Sequence, residues 1–277
     1  RFTFQATPKQ KFTSSLNWQR ACGCWLSIAG GSATSPEASV SFQYGKGNGM
    51  WLSQNTWNYP ATNRLLLQIG ASFLIQAVTY DNDKFAGTND ISIVEQTTGY
   101  RWGTINGGTD NSYKPHTSNN FTQRAAVSYI TGSHAFKAGV QALEGRFDPL
   151  GDALPNATNY TFNNGVPLSI TMFASPFENH VRVRNLGLFA QDQWTINRLT
   201  LNAGVRYDHF YAYSLAFTVP AGPFTAARPV PAVKDLPNYQ DITPRIGVSY
   251  DVFGNGKTAI KASWGRYLMG QGAGDAR

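Results

Sequence analysis

The sequence predicts an all-β chain, an antiparallel transmembrane β-barrel with long extracellular loops and short periplasmic turns. Three observations carry this. The stretch Arg184 to Tyr211 forms two long alternating segments around a two-residue turn at Asn197 and Arg198. Composition is lightly charged (14%) yet mildly polar (mean hydropathy −0.31), with 13% aromatics and 27 glycines. Tight turns alternate regularly with long connections.

In the second segment, Leu199, Leu201, Ala203, Val205, Tyr207 and Tyr211 alternate with Thr200, Asn202, Gly204, Arg206 and Asp208. Side chains of a strand point alternately to opposite faces, so one face is oily and the other wet. The first segment alternates Leu186, Leu188, Ala190, Trp194 and Ile196 with Asn185, Gly187, Gln191 and Gln193; Phe189 breaks the wet side and Asp192 the oily one. Strands of soluble sheets typically run about five or six residues, whereas a tilted membrane strand needs about 9 to 11. Because no apolar run reaches the roughly 18 residues of a spanning helix, a closed barrel is the way this chain could cross a bilayer.

The other hairpins follow in order. Phe2, Phe4 and Ala6 descend to a turn at Pro8 to Gln10, and Phe12, Leu16 and Trp18 rise from it; Gln19 to about Gly49 is a Gly- and Ser-rich loop. Met50 to Trp57 and Arg64 to Ile75 flank a turn containing Pro60, followed by a connection to Asn120 with an extended piece near Ile91 to Trp102. Ala125, Val127 and Tyr129 pair across Thr131 to Ser133 with Phe136, Ala138, Val140 and Ala142; the loop from Gly145 to Val183 contains a hairpin at Asn159 to Phe173. After the central hairpin, Ala212 to Thr243 holds Pro220, Pro223, Pro229, Pro231 and Pro237, which exclude interior strand there. Ile246, Val248, Tyr250 and Val252 then turn at Gly254-Asn255-Gly256 into Ile260, Ala262 and Trp264.

The turns centre near residues 9, 60, 132, 197 and 255, and the longer connections lie between them. Outer-membrane barrels keep short turns in the periplasm and long loops outside, which sets the orientation. Trp57, Trp194, Tyr207, Tyr211, Phe253 and Trp264 are expected at the interfacial girdles. Both chain ends then point to the long-loop side, so residues 1–277 are expected to be about ten strands of a larger barrel. With no initiating Met or leader pattern, any secretion signal is expected outside this chain.

The formal charge of +7 comes from scattered basic residues, with no stripe suited to nucleic acid. His116, His134, His180 and His209 are far apart and form no zinc motif. Asp81-Asn82-Asp83 could offer oxygens to Ca²⁺ but lacks EF-hand spacing. Neither G-x-S-x-G nor a phosphate-binding P-loop occurs, so the chain is expected not to be an enzyme and to need no cofactor. Cys22 and Cys24 are the chain's two cysteines. A bond across two residues is sterically unusual, leaving a strained loop clasp, two thiols, a soft-metal contact or pairing elsewhere. Arg124, Lys137, Arg206, Asp208, Arg245, Asp251 and Lys261 occupy wet-face positions and are expected in the lumen, where they contact a plug, line a solute path or solvate the wall.

The run NLGLFAQDQWTINRLTLNAGVRYDHF resembles the barrel hairpin of TonB-dependent outer-membrane receptors, with its aromatic-Ala-Gln-Asp-x-Trp strand followed by Leu-Thr-Leu-x-x-Gly-x-Arg-Tyr-Asp. TPKQKF at Thr7 to Phe12, Cys22-x-Cys24 with SPEA at Ser35 to Ala38, TNRLLLQIGAS at Thr62 to Ser72, SYITGSHAFKAGV at Ser128 to Val140 and TPRIGVSYDVFGNGKTAIKASWGRY at Thr243 to Tyr267 resemble the Oar-like branch, whose members carry a carboxypeptidase-regulatory-like domain. The resemblance implies a plugged barrel of about 22 strands in the bacterial outer membrane. It further implies substrate uptake energised through a TonB complex, with lipid, lipopolysaccharide and a plug domain as partners. The chain matches the barrel part of that pattern and not its regulatory domain, TonB box, plug or terminal strand. Two other readings share parts of the signal: a passive porin, and a secreted carbohydrate-binding or adhesive β-sandwich whose oily faces pack on each other.

Overall fold

In a computed structural model the described residues are 1–26, 34–38, 40–44, 49–82, 90–104, 116–151, 157–235 and 237–269. The wall is one sheet in which ten strands follow one another antiparallel. They are β1 (Phe2–Gln5), β2 (Lys11–Gln19), β5 (Met50–Pro60), β6 (Leu65–Asn82), β9 (His116–Thr131), β10 (His134–Asp148), β15 (Val181–Ile196), β16 (Leu199–Ser214), β19 (Asn238–Asp251) and β20 (Ala259–Gly265). The sheet is open within this chain. The remaining strands lie in the connections: β3 (Ala21–Leu26), β4 (Val40–Tyr44), β7 (Ser92–Glu95), β8 (Arg101–Trp102), β11 (Leu150–Gly151), β12 (Thr158–Asn163), β13 (Val166–Met172), β14 (Phe177–Glu178), β17 (Phe217–Val219) and β18 (Arg228–Val230), with a 3₁₀ turn at Pro36–Ala38.

The central hairpin forms as its alternation dictates. Sixteen residues of β15 pair with sixteen of β16, from Ile196↔Leu199 to Val181↔Ser214. Asn197 reverses the chain at φ 50°, a left-handed conformation that Asn tolerates. All five short turns lie at one end; the second spans 61–64, with Pro60 as the last residue of β5 rather than within the turn. At the fifth, the Asp251 carboxylate accepts hydrogen bonds from the Gly254 and Gly256 amides at 3.0 and 2.8 Å, which closes a wider reversal.

Cross-strand register builds one apolar face. Phe12, Trp57, Ile69, Ala125, Val140, Leu188, Tyr207 and Ile242 form a single row across eight strands. Much of this face is bare: Ile69, Leu188, Val205, Ile242, Ile246 and Ile260 are each 47–67% exposed. A soluble sandwich would cover such a face with a second sheet, and none among the described residues does so. No helix of the described residues is long and apolar enough to cross a membrane, which leaves crossing by strands open. Contiguous bare apolar area of this extent is what a lipid-facing wall requires.

Both exceptions to the alternation acquire reasons. Phe189 lies on the polar face with its ring over Gly139, where a Cβ would meet the ring at 2.7 Å. Asp192 lies on the apolar face near the turns, 2.6 Å from His134 Nδ1, and the His134 ring stacks between Phe136 and Trp194 at 5.2 and 5.3 Å. Tyr207 departs from its girdle expectation: it is eight residues up β16 from Leu199, at mid-height of the wall.

The long connections are more ordered than the sequence predicts. The first contains the β3–β4 hairpin, and β4 extends the wall by pairing with β6 from Val40↔Asn82 to Tyr44↔Val78. Pro229 sits in β18, opposite Thr218, in a short edge ribbon rather than an interior strand. A two-stranded ribbon tolerates this because an edge strand can do without one ladder donor. The expected hairpin at Asn159 to Phe173 is present as β12–β13, turned at Asn164-Gly165 with φ 51° and 76°, the geometry that an Asn-Gly pair favours.

The loops also grip one another. β12 of the third connection pairs in parallel with β7 of the second, giving a sheet ordered β13-β12-β7-β8. Ser35 of the first connection donates its amide to Arg101 O at 2.8 Å, and Arg228 of the fourth donates to Ala174 O and Pro176 O of the third at 2.9 and 3.2 Å. Four loops thus join into one cap above the wall.

Candidate functional site

The polar face of the wall carries the charged residues. Register places Arg124, Lys137, Arg206, Asp208, Arg245, Asp251 and Lys261 on that one face, opposite the bare apolar rows. They do not converge on a single point. Arg206, Asp208 and Arg245 line a concavity of about 580 Å³ shared with Asp241, Thr243, Arg266 and Tyr267. Lys137 and Arg245 border a second hollow nearer the turns, and Lys261 a third. Arg124 lies farther round, against Gly70, where a Cβ would meet its Nε at 2.8 Å. Asp251 is spent on the fifth turn.

Within the main concavity the charges are paired. Arg206 donates from Nε and Nη2 to the two carboxylate oxygens of Asp208, each at 2.7 Å, a fork-to-fork arrangement. Alternation makes this possible, because residues two apart in a strand share a face. Gly187 of β15 leaves the space that the guanidinium fills; a Cβ there would meet Arg206 Nη2 at 1.9 Å. Asp208 is 8% exposed, so Arg206 supplies the hydrogen bonds that water does not. Asp241 stands opposite Asp208 in register, and like charges so placed would repel. Arg266 relieves it, with Nη2 2.6 Å from Asp241 Oδ1. Arg245 lies 4.6 Å over the Tyr267 ring.

Asp241, Thr243, Arg266 and Tyr267 are residues that sequence reasoning missed. Pro237 suggested a loop up to Thr243, yet β19 starts at Asn238, and Tyr239, Asp241, Thr243 and Arg245 then continue one polar-face parity. Pro244 interrupts nothing. Its carbonyl accepts from the Arg266 amide at 3.1 Å, so its missing N–H also points toward β20, away from the β16 ladder.

The cap has its own charged junction. Glu95 accepts from the Asn164 and Gly165 amides at 2.9 and 3.0 Å and from the Thr97 hydroxyl at 2.9 Å, tying the second loop to the third. The Gly165 amide, with Thr97 and Asn164, holds its carboxyl below the usual carboxylate range against the opposing effect of desolvation. A depressed folded-state pKa stabilises above the unfolded value, about 4.3 for Glu, and that stabilisation fades as pH falls through the folded value. Hydrogen exchange should therefore show the Asn164 and Gly165 amides protected at neutral pH and less protected below about pH 4. In Glu95→Ala the protection should be low at every pH; unchanged protection in that variant would contradict this junction.

His180 links Asp148 and Glu178, its Nδ1 2.7 Å from the first and its Nε2 2.8 Å from the second, and Arg182 also donates to Asp148 at 2.7 Å. Among the described residues no group of His, Cys, Asp and Glu is disposed to hold a metal ion. The Asp81-Asn82-Asp83 side chains lie outside the described residues. Cys22 is disulfide-bonded, and the side chain of Cys24 lies outside the described residues.

Comparison with known proteins agrees with this geometry. Residues 31–276 match the family model for an outer membrane beta barrel domain. The TonB-dependent transporter Oar of Myxococcus xanthus is 27% identical over 54% of this chain and 15% of its own length. The siderophore receptor PiuA of Acinetobacter baumannii superposes with a TM-score of 0.55 at 14% identity, covering 95% of this chain and 40% of that one. The chain therefore spans well under half of each of these two proteins. An open amphipathic sheet with an apolar face, short turns at one end and interlocked loops at the other is a segment of their kind of wall: the chain belongs to the outer membrane β-barrel domain family, has the barrel fold of TonB-dependent receptors, and resides in the bacterial outer membrane.

Proposed function

We propose that this chain forms wall and extracellular loops of a TonB-dependent receptor that binds a substrate outside the cell and imports it with TonB-transmitted energy. Residues 1–277 would be about ten strands of a plugged barrel of about 22. The observation that carries the reading is the polar face, on which Arg206–Asp208 and Arg266–Asp241 present fixed, paired charges toward the interior of the barrel. Such a surface suits reversible docking of a plug: paired charges give complementarity and register without binding so tightly that the plug cannot move. Arg124, Lys137 and Lys261 extend the polar wall. Substrate recognition falls to the loop cap, which is rich in Asn, Thr and aromatic groups suited to adaptable polar contacts. The disulfide at Cys22 serves as a clasp of the first loop. Lipid and lipopolysaccharide surround the apolar face.

The test uses the full-length protein in lipid bilayers. A TonB-dependent receptor binds the periplasmic domain of TonB, measured by surface plasmon resonance, and shows no steady ion conductance at rest. A steady open conductance without TonB binding would contradict the proposal and point instead to a passive porin.

A further inference from the structure

β13 is bare along its whole length. It is the edge strand of the loop sheet β13-β12-β7-β8, and no strand among the described residues pairs with its outer side. Val166, Leu168, Ile170 and Met172 are each 55–65% exposed, and the chain from Ala157 to Phe177 holds no charged residue. Proteins ordinarily protect such an edge with lysines, prolines, bulges or a covering element, because its unpaired amides and carbonyls recruit other strands. Here the protection is partial. Pro167 and a register shift that leaves Leu168 without a partner blunt the end near the Asn164-Gly165 turn, whereas Ser169 to Met172 runs on regularly.

Hydrogen bonding shows which main-chain groups stay open. The Phe173 amide donates to Ala157 O at 2.8 Å, so residues 173, 171 and 169 turn their main chain toward β12, and Met172 and Ile170 turn theirs outward. β12 agrees from its other side. Tyr160, the register partner of Ile170, has the parity of Phe162, whose carbonyl accepts from the Gln96 amide at 2.8 Å on the β7 side. Side chains divide with the same period: Ile170 and Met172 share a face with Tyr160, Phe162, Ile93 and Trp102, where the Trp102 ring lies 5.8 Å from both Phe162 and Tyr100. Ser169 and Thr171 lie on the opposite, polar face with Thr161 and Asn159. Glu95 and Arg228, which touch the segment at its turn and beyond Phe173, are committed to the Asn164 and Gly165 amides and to the Ala174 and Pro176 carbonyls.

We propose that the Ser169 to Met172 edge of the cap binds an uncharged, extended peptide as an added antiparallel strand. Main-chain hydrogen bonds to Ile170 and Met172 supply affinity, and side chains at every second peptide position supply selectivity. The two faces set the peptide's chemistry. Aliphatic residues fit opposite Ile170 and Met172, small polar ones fit opposite Ser169 and Thr171, and charge is disfavoured because the segment has none to pair with it. A second copy of the chain does not fit: the four aliphatic side chains make a patch of a few hundred Å², the size of a functional patch on a monomer and below the roughly 800 Å² per partner that a stable dimer buries. Such a site rests on the cap's proposed role in substrate recognition and gives that substrate a chemical class.

The test is binding of the peptide Thr-Val-Thr-Val-Thr-Val-Thr, amidated and labelled at its N-terminus with an uncharged dye, to the full-length protein in nanodiscs. Fluorescence anisotropy reads it, and TonB binding is measured on the same preparation. Valines opposite Ile170 and Met172 exchange main-chain bonds with them, so N-methylating the valines should weaken binding about 10- to 30-fold, whereas N-methylating the threonines, whose amides point away, should change it less than about 2-fold. Ile170→Pro removes one outward amide that β12 does not use and should weaken binding about 5-fold. Should that variant not insert, Ile170→Lys/Met172→Lys leaves every amide in place, and its charges on the apolar face should give a loss of similar size. Equal binding of the two N-methylated peptides, or no peptide binding by wild type that still binds TonB, would overturn the edge site and leave the receptor reading intact. A dimer of the detergent-solubilised protein that Ile170→Pro abolishes would make a second copy the occupant and overturn the peptide. Peptide binding with the expected N-methyl pattern but without TonB binding would uphold the edge site and overturn the receptor reading.

Discussion

Val205→Arg should destabilise the membrane-inserted protein by about 2 to 4 kcal/mol. Val205 is 48% exposed on the apolar face, six residues up β16 and thus near the middle of the band. Its flanking positions are Ala190 of β15 and Pro244 of β19, neither of which has a side chain that can accept from a guanidinium. An arginine there must reach along the wall to water or leave its charge in hydrocarbon, and the cost of doing so sets the magnitude. Asn202→Arg, on the polar face of the same strand, should lie within about 0.5 kcal/mol of wild type. Chemical unfolding of the full-length protein in bilayers measures both. Near-equal effects of the two substitutions would mean that Val205 does not face lipid.

Asp208→Ala should cost about 2 to 3 kcal/mol, because it strips Arg206 of two charge-assisted hydrogen bonds and leaves a largely covered guanidinium beside Gly187 without its partner. The side chain of Arg206 is 23% exposed, so water recovers part of the loss. Arg206→Ala combined with Asp208→Ala should be less damaging than the sum of the two single changes, and that coupling is the quantity to measure. Additive effects would contradict the bidentate pair.

The ten wall strands were legible because lipid and water lie on opposite sides of the sheet, and a period of two records that difference residue by residue. Where both faces meet water the record stops. β6 runs on to Asn82 and β9 begins at His116, beyond the expected limits, since Thr79, Asn119 and Asn120 rise above the band and no longer alternate. The β7–β12 pairing was illegible for a different reason. Two short strands from separate loops meet in parallel, and neither carries a cue to the other.

The charged face was legible by parity alone, which put all seven charged residues on one face of the sheet but could not say which would pair. Arg206 and Asp208, two apart, could have been matched from sequence. Asp241 and Arg266 could not, because their contact depends on the chain leaving β20 at Gly265 and turning over β19.

The central claim is that this sheet stands with one face in lipid and the other in water. The most direct measurement is a spin-label scan along β16 from Leu199 to Ser214 in the bilayer-inserted full-length protein, comparing accessibility to oxygen and to a water-soluble nickel chelate. The account predicts oxygen-favoured labels at positions 201, 203, 205 and 207, and chelate-favoured labels at 202, 204, 206 and 208. Uniform accessibility, or the opposite phase, would contradict it.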